Sequence, residues 1–256
     1  DLMKTNQMNG AEVALRCADR WVKPLIGRMG YLWSDFAIRQ YGASNGAVGR
    51  ALKTEDMIFG SADRVVVTTA EMANMIGERN PLVIDKTVVI PNYVETNRFT
   101  LGSRKSKDFD VLFVGRLSHQ KNVPALLSAL GDLDVKALII GDGELRGKLR
   151  SEFGDLNGKI RWEGNVPNNK LPSFMNCSLI YILMSHYEGH PKTLIEAMSC
   201  GMPVIGADSP GIRKIISHEV NGLLCGTDSD SIRLSIQKLL DNPGLSDFLG
   251  KNARQY

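Results

Sequence analysis

Two glutamates, at positions 188 and 196, lie in the stretch of the chain with the clearest potential for chemistry. The segment from Ser185 to Pro203 follows an apolar run, passes through a glycine-containing loop and then takes on helical spacing. Pro191 is predicted at the first helical position, because proline has no N–H to leave unbonded there. The free N–H groups and positive dipole of such a helix start attract phosphate. Glu196 lies about 7.5 Å along the helix axis from Pro191, so one ligand centred on the helix start can reach both carboxylates.

A nucleotide-sugar fits this spacing. Its diphosphate would lie at the helix start, its sugar near Glu188 and its ribose near Glu196. Such a ligand would bind beyond the carboxyl end of a strand, where open α/β sheets bind their ligands. The alternative is that Glu188 is a loop charge and Glu196 a solvated helix residue, because charged side chains are mostly exposed.

A second loop, residues 114–122, also follows an apolar run and precedes a helix. Its sequence is Val-Gly-Arg-Leu-Ser-His-Gln-Lys-Asn. Gly115 allows a close approach of the backbone. Arg116 and Lys121 can neutralise a diphosphate, the first as a planar fork of donors and the second as a point charge. The alternative is two exposed basic side chains on a loop.

A third glycine-containing loop begins at Ile140 and contains Gly141-Asp-Gly143. It resembles the start of a dinucleotide-binding loop, but Arg146 stands where that fingerprint needs a small residue. An NAD site is therefore not expected. The loop is predicted to form a tight turn that lines a nucleotide crevice, with a helix starting at Glu144.

Several patterns that suggest a metal site have simpler explanations. His186-x-Glu188-x-His190 brings three potential ligands together, but the following Pro191 prevents the helix that would place both histidines on one face. Three Asp-x-Asp pairs match the pattern of metal-dependent sugar transferases, at 108–110, 132–134 and 228–230. Each pair lies at the edge of a predicted element, where aspartate commonly caps or turns the chain. No metal site is expected.

The composition restricts the possible functions. The chain has 256 residues, of which 43% are hydrophobic and 23% charged, and a net charge of +3. These values exclude disorder, and the mild charge does not indicate a nucleic-acid-binding protein. No apolar stretch approaches the ~18 residues of a membrane span. The cysteines form no Cys-x-x-Cys pair, so a reducing cytoplasm is the expected location.

Strands and helices are predicted to alternate along most of the chain. Short β-branched runs predict strands at 65–69, 87–90, 111–114, 135–140, 179–183 and 203–205. Helical spacing predicts helices at 11–22, 47–59, 71–78, 123–130, 144–153, 191–200, 211–217 and 229–240. This alternation is typical of βαβ units and a parallel sheet.

The pattern also predicts two domains. Residues 1–60 show almost no strand signal, and a polar, basic segment follows Leu101, so the domains are predicted to be residues 1–100 and 101–256. The first helices mix basic and aromatic residues, which makes a membrane-surface module a further hypothesis. The residues concerned are Arg16, Arg20, Trp21, Lys23, Arg28 and Trp33.

Taken together, these segments resemble the retaining glycosyltransferases of family 4, also called group 1 glycosyltransferases, which have the GT-B fold. The resemblance extends over residues 60–256, and the order and spacing of the motifs agree. The segments that carry it are 61–69, 89–99, 113–122, 140–146, 164–167, 188–196 and 201–205.

The resemblance implies an α/β architecture of GT-B type, with two Rossmann-like domains of which the N-terminal one is incomplete. The N-terminal domain would be the acceptor side and the C-terminal one the donor side. The family's domain begins with further strands and ends with a crossing helix, so this chain is expected to be truncated at both ends. Its donor would be a UDP- or GDP-sugar, with no cofactor and no metal required.

The resemblance also implies roles for individual residues. Arg116 and Lys121 would bind the diphosphate, Glu188 the donor sugar and Glu196 the ribose, with the base near Asn165-Val166-Pro167. Glu188, Arg116 and Lys121 would form the catalytic set. The full predicted donor site is Gly115, Arg116, Lys121, Gly141, Val166, Glu188, Gly189, His190, Pro191, Lys192, Thr193 and Glu196.

The expected reaction is transfer of a sugar to an acceptor hydroxyl with retention of configuration, in polysaccharide, lipopolysaccharide or glycolipid synthesis. The acceptor would be a carbohydrate or lipid-linked molecule, and the protein would be cytoplasmic, at the inner face of the membrane. No nucleic-acid partner is expected. The alternatives are a non-catalytic nucleotide-sugar binding fragment and a GT-B-fold epimerase or phosphorylase.

Overall fold

The computed structural model describes residues 1–102 and 107–256. The chain divides into two compact units, residues 1–92 and 93–256. The predicted boundary followed residue 100, but Phe99 is buried in the core of the second unit. Its carbonyl accepts hydrogen bonds from Ser199 Oγ at 2.8 Å and from Arg254 Nη1 at 3.2 Å. These contacts place the segment before residue 100 in the second unit.

The first unit contains a parallel sheet with the strand order β1-β2-β3-β4. Its strands are β1 (Met3–Lys4), β2 (Leu25–Arg28), β3 (Arg64–Val67) and β4 (Thr87–Val89). Its helices are α1 (Ala11–Trp21), α2 (Trp33–Tyr41), α3 (Gly46–Ser61) and α4 (Ala70–Arg79), and a 3-10 helix spans Pro81–Lys86.

Residues 1–60, whose sequence shows almost no strand signal, contain two short strands. Strand β1 has only two residues, and β2 reads Leu-Ile-Gly-Arg, so neither shows a β-branched run. Gly27 in β2 is explained by tertiary packing. A Cβ atom at this position would lie 2.9 Å from Cγ2 of Ile58 in α3.

The basic and aromatic residues near the N-terminus do not share one helix face. Trp33 packs against buried core residues, and Arg28 lies in β2 and donates to Asn92 Oδ1 at 3.3 Å. Trp21 is exposed at the end of α1. None of the helices in residues 1–102 and 107–256 combines the length and apolar character that a membrane span requires.

Within residues 107–256, a six-stranded parallel sheet forms the centre of the second unit, in the order β10-β9-β8-β5-β6-β7. The strands are β5 (Phe109–Val114), β6 (Ala137–Ile140), β7 (Ile160–Glu163), β8 (Ser178–Leu183), β9 (Val204–Ala207) and β10 (Leu223–Cys225). The helices are α5 (Val123–Gly131), α6 (Arg146–Phe153), α7 (Leu171–Asn176), α8 (Lys192–Ser199), α9 (Ser229–Asp241) and α10 (Pro243–Ala253). Short 3-10 helices span His119–Lys121 and Asn168–Lys170.

The strand order reverses between β5 and β8. From β5 the chain builds β6 and β7 on one side, and then returns to place β8 on the other side of β5. Val111 pairs with Ile180, so the two strands end at neighbouring positions. The loops that follow β5 and β8 therefore leave the same edge of the sheet, at the switch point where doubly wound sheets bind ligands.

Apolar runs in the central strands explain why the sheet forms. The four residues of β6 are all buried, as are residues 111–114 and 180–183 of the two neighbouring strands. Strands buried on both faces need such continuous apolar sequences. Residues 211–217, predicted as a helix, form a turn at 211–215 followed by irregular backbone at 216–217. The apolar spacing there has a different cause, because Ile212, Ile215 and Ile216 enter the core from this irregular segment.

Candidate functional site

A close contact between the two switch-point loops joins Lys121 and Glu188. Lys121 Nζ donates to Glu188 Oε1 across this edge of the sheet. The two side chains are only 16% and 10% exposed. Glu188 is therefore not a solvated loop charge, and Lys121 is not an exposed basic side chain. Two residues selected from separate motifs lie side by side.

Backbone and glutamine contacts hold the loop that carries Glu188. Gln120 Nε2 donates to the Tyr187 carbonyl at 2.8 Å, and the His186 N–H donates to the Gln120 carbonyl at 2.9 Å. The Glu188 N–H donates to Pro210 O at 3.0 Å. These bonds fix the backbone on both sides of Glu188, so its carboxylate has a defined position next to Lys121.

A glycine supports the same loop from the other side. Gly211 has a φ of +84°, and a Cβ atom there would lie 2.1 Å from the Glu188 carbonyl oxygen. Only glycine combines this backbone conformation with so close an approach. Gly189, which follows Glu188, lies in the same contact, because its carbonyl oxygen would be 2.8 Å from that Cβ atom.

The loops after β5 and β6 also approach each other through glycines. Gly141 has a φ of +136°, and a Cβ atom on it would lie 1.9 Å from the Gly115 carbonyl oxygen. A Cβ atom on Gly143 would lie 2.4 Å from the Leu117 carbonyl oxygen. The Gly-x-Gly sequence therefore permits backbone-to-backbone packing, as the predicted tight turn requires. The following helix starts at Arg146, two residues later than predicted.

These loops line a cavity of about 470 Å³. Arg116 is exposed in its wall, so its guanidinium is accessible to a ligand. The wall combines apolar side chains from strand ends with backbone and polar groups from the loops: Val114, Gly115, Arg116, Ile140, Gly141, Asp142, Gly143, Glu144, Asn165, Val166 and Leu171. Four of the predicted site residues are in this lining, namely Gly115, Arg116, Gly141 and Val166.

Helix α8 begins one residue later than predicted, at Lys192. Pro191 is its N-cap, with φ −69° and ψ 105°. Its carbonyl accepts the Ile195 N–H at 3.4 Å. Because the first N–H groups of a helix have no intrahelical acceptors, those near Lys192 and Thr193 are available to an anion.

A buried tyrosine orients the Thr193 side chain. Tyr181 Oη donates to Thr193 Oγ1 at 2.8 Å. Burial raises the pKa of Tyr181 far above its ordinary value, so this hydroxyl stays protonated. The Thr193 hydroxyl accepts one hydrogen bond here, and its own hydrogen is available for a second. At the neighbouring His190, burial lowers the pKa of the imidazole.

Glu196 is buried, contrary to the alternative that it is a solvated helix residue. Its side chain is 1% exposed. Asn168 Nδ2 donates to Oε1 at 2.8 Å, and Lys192 Nζ lies 3.7 Å from the same oxygen. In the described part of the chain Oε2 is buried and has no hydrogen-bond partner. Burial raises the pKa of this carboxyl above its ordinary value, against the opposing effects of Asn168 and Lys192.

A buried carboxylate oxygen without a partner is costly, because desolvation is not compensated. Such an atom keeps an unused acceptor site, which a ligand that carries hydrogen-bond donors can satisfy. The hydroxyl groups of a ribose are donors of this kind. Glu196 in α8 thus offers an acceptor, and the Lys121–Glu188 pair offers an acceptor and a cationic donor.

One aspartate of each of the three Asp-x-Asp pairs has a local structural contact. Asp228 Oδ1 accepts from the Ser231 N–H at 2.8 Å and caps α9. Asp110 accepts from the Lys136 N–H, and Asp134 forms an ion pair with Lys159 at 3.2 Å. Among residues 1–102 and 107–256, no group of three or more histidines, cysteines, aspartates or glutamates is arranged to hold a metal ion.

Three residues of the site region were not identified from the sequence. Gln120 and Gly211 hold the Glu188 loop, and Asn168 holds Glu196. Gly211 follows Pro210, which is a turn signal, but nothing in the sequence links it to Glu188. Polar side chains in short 3-10 helices carry no periodic signal, so Gln120 and Asn168 are recognisable only from the structure.

Comparison with known sequences identifies a family. The family model for group 1 glycosyl transferases matches residues 95–256. An uncharacterized glycosyltransferase of Methanocaldococcus jannaschii is 30% identical over 217 residues, covering 78% of this chain and 55% of that protein. The UDP-Gal:alpha-D-GlcNAc-diphosphoundecaprenol alpha-1,3-galactosyltransferase of Escherichia coli is 30% identical over 194 residues, covering 66% of this chain and 49% of that protein. The chain spans about half the length of the curated relatives it matches.

Solved structures share the fold. Sucrose-phosphate synthase from Thermosynechococcus elongatus superposes with a TM-score of 0.80 at 23% identity, covering 99% of this chain and 68% of that one. HepE of Anabaena in complex with UDP-glucose gives a TM-score of 0.80 at 20% identity, covering 100% of this chain and 73% of that one. The predicted α/β fold of GT-B type is confirmed by these likenesses.

Proposed function

Because the chain belongs to the group 1 glycosyl transferases, we propose that its second unit binds a nucleotide-diphospho-sugar and that the whole protein transfers the sugar to an acceptor hydroxyl. The observation that carries the proposal is the buried Glu196 carboxylate with its unpartnered Oε2. This atom lies on the helix that starts at the switch point of the sheet. A ribose hydroxyl would supply the missing hydrogen bond.

In the proposed complex, Lys121 and Arg116 contact the diphosphate. An ammonium group has three donors, so Lys121 can keep its bond to Glu188 and still donate to phosphate oxygens. Arg116 contributes a planar fork from the cavity wall. The start of α8 adds backbone N–H groups and the positive end of the helix dipole. Together these groups would stabilise the negative charge that develops on the leaving diphosphate.

Glu188 is assigned to the donor sugar. Its bond to Lys121 would hold the carboxylate beside the diphosphate, where the sugar of a bound donor begins. The carboxylate would accept hydrogen bonds from sugar hydroxyls. Retention of the anomeric configuration is part of this proposal, and analysis of the product anomer in the full-length enzyme tests it.

The reaction is proposed to need no metal ion, since Arg116, Lys121 and the start of α8 supply the positive charge. Assays of the full-length enzyme with EDTA, and with added Mn²⁺, test this point directly. Loss of activity in EDTA and recovery with Mn²⁺ would contradict it.

The donor is proposed to be a UDP- or GDP-sugar, with its base near Val166. Isothermal titration of the chain with UDP, GDP and ADP tests the binding site. We expect micromolar binding of UDP or GDP. Absence of binding by all three nucleotides would contradict the proposed function.

The acceptor is proposed to be a carbohydrate or a lipid-linked glycan, in polysaccharide, lipopolysaccharide or glycolipid synthesis. The Escherichia coli relative is named for a diphosphoundecaprenol-linked acceptor. An acceptor of that kind would bring the protein to a membrane surface, so the cytoplasmic inner face is the proposed location. Co-sedimentation of the full-length protein with liposomes tests it.

An epimerase would use the same donor but no acceptor. Incubation of the full-length protein with a nucleotide-sugar alone therefore distinguishes the two functions. A transferase gives a new glycoside only when an acceptor is added. A non-catalytic binding module would bind the nucleotide without turnover in either case.

A further inference from the structure

The contact between Asn168 and Glu196 joins two parts of the site that are far apart in the sequence. Asn168 begins the 3-10 helix Asn168–Lys170, two residues after Val166 in the cavity wall. Leu171, just beyond this helix, is also part of that wall. Glu196 lies in the middle of α8. The 2.8 Å bond therefore connects the segment that forms the cavity wall to the helix that begins at the switch point.

The chemistry of the contact determines its direction. A carboxylate can only accept, so the Asn168 atom that faces it must be the NH₂ group. The NH₂ group of Asn168 donates a hydrogen bond to Oε1 of Glu196, and Lys192 also approaches this oxygen. Oε2 is left buried without a partner in the described residues. One oxygen is thus held by the protein, and the other keeps an unused acceptor site.

We propose that Asn168 is a positioning residue of the donor site, which fixes Glu196 through Oε1 so that Oε2 accepts a hydrogen bond from the ribose of the bound nucleotide. Asn168 does not itself need to touch the ligand. The inference rests on the proposed nucleotide site. It adds a residue outside segments 113–122 and 188–196, two positions after Val166 of the cavity wall.

Asn168 also favours the charged form of Glu196. The other ionisable groups near this carboxylate are Lys192 on its own helix, Tyr181 on β8 and Cys200 just after α8. Burial raises the pKa of Cys200 to about 12 and raises that of Tyr181 further, so both are neutral at ordinary pH. Lys192 is half exposed. Asn168 is therefore the main uncharged donor that offsets the effect of burial on the pKa of Glu196.

The substitution Asn168→Asp tests the proposal with little change in shape. It replaces the donor with a second carboxylate that faces Glu196. The matched control is Asn169→Asp, which makes the same change in charge at the next, exposed residue. By titration calorimetry with UDP and GDP, we expect Asn168→Asp to weaken binding about tenfold or more. Asn169→Asp should stay within about twofold of the wild type. Equal effects of the two substitutions would overturn the proposal.

A second arm repeats the substitution in a Glu196→Gln background. The amide that Glu196→Gln introduces can donate to a carboxylate at position 168, so adding Asn168→Asp there should cost less than about twofold in affinity. A role in loop folding alone would weaken binding equally in both backgrounds, and that result would overturn the proposal.

The third arm needs no nucleotide. Carbon-13 NMR titration of glutamate-labelled protein, with Glu196 assigned through Glu196→Gln, measures the pKa of this carboxyl directly. Asn168→Asp should raise it by about one unit or more, because a like charge disfavours ionisation. Asn169→Asp should leave it unchanged. If the wild type binds no nucleotide, the proposed function fails, while an unchanged Glu196 pKa in Asn168→Asp would separately overturn the role of Asn168.

Discussion

Lys121 and Glu188 form a close ion pair across the switch point of the sheet, although 67 positions separate them in the chain. The pair joins the loop that follows β5 to the loop that follows β8. In the proposed complex it has two functions: Lys121 contacts the diphosphate, and Glu188, held by Lys121, contacts the sugar. Each function can be tested by itself.

Replacement of Lys121 by Met should weaken binding of UDP or GDP. The change removes a cation from the diphosphate site and leaves the Glu188 charge without its partner. We expect a loss of affinity of about tenfold or more. Titration calorimetry measures it, with Lys148→Met on the exposed face of α6 as the control. An unchanged affinity in Lys121→Met would exclude Lys121 from the diphosphate site.

Replacement of Glu188 by Ala should have a different signature. The free nucleoside diphosphate carries no sugar, so its affinity should stay within about threefold of the wild type or increase. Turnover of the nucleotide-sugar by the full-length enzyme should fall by about a hundredfold, the usual effect of losing one group that acts in the transition state. Loss of affinity for the free diphosphate would show that Glu188 has another role.

The close approach of Gly141 to Gly115 predicts a strong effect on stability. In Gly141→Ala, the new Cβ atom would meet the Gly115 carbonyl at 1.9 Å in a backbone conformation that L-residues rarely adopt. We expect the free energy of unfolding to fall by about 3 kcal/mol or more. Urea denaturation measures this change.

The matched control is Gly147→Ala in α6. A Cβ atom there would have no neighbour within 4 Å, so the substitution should raise the unfolding free energy by about 0.5–1 kcal/mol. Similar values for the two glycines would mean that the Gly115–Gly141 contact is not formed.

The elements of the second unit were predictable where hydrophobic pattern and burial coincide. The continuous apolar residues of β6 and β8 indicate strands covered on both faces, and both are found within one or two residues of their expected limits. Strand β7 reads Ile-Arg-Trp-Glu and lies at the edge of the sheet. Because an edge strand needs fewer apolar residues, its sequence resembles a loop and it was not predicted.

Site residues were predictable where local sequence determines their position. Glu196 follows Pro191 on one short helix, and helical geometry alone sets their separation. The Lys121–Glu188 contact depends on the order of strands in the sheet, which the spacing within each motif does not encode. The contact between Asn168 and Glu196 depends in addition on where the chain enters the 3-10 helix before α7. A single polar residue in a short 3-10 helix gives no signal for such a contact.

The buried position of Glu196 predicts a pH dependence of stability. Its pKa is raised by burial, so the folded protein binds this proton more tightly than the unfolded chain. The contribution of Glu196 to the free energy of unfolding is therefore greatest at low pH. It is lost as the pH rises from the ordinary glutamate pKa through the higher pKa that Glu196 has in the folded protein. Glu196→Gln, which cannot ionise, should be more stable than the wild type at pH 7, and the difference should disappear near pH 4. Thermal melts across this range measure it, and a constant difference would contradict the raised pKa.

The central claim is that Glu196 accepts hydrogen bonds from the ribose of a bound nucleotide. Titration calorimetry of UDP and GDP with Glu196→Ala tests it most directly, with Glu152→Ala, an exposed helical carboxylate, as the control. We predict that Glu196→Ala lowers the affinity about tenfold to a hundredfold, because that is the affinity change expected when hydrogen bonds to a charged acceptor are lost. Glu152→Ala should change the affinity by less than about twofold. Wild-type affinity in a folded Glu196→Ala protein would contradict the claim.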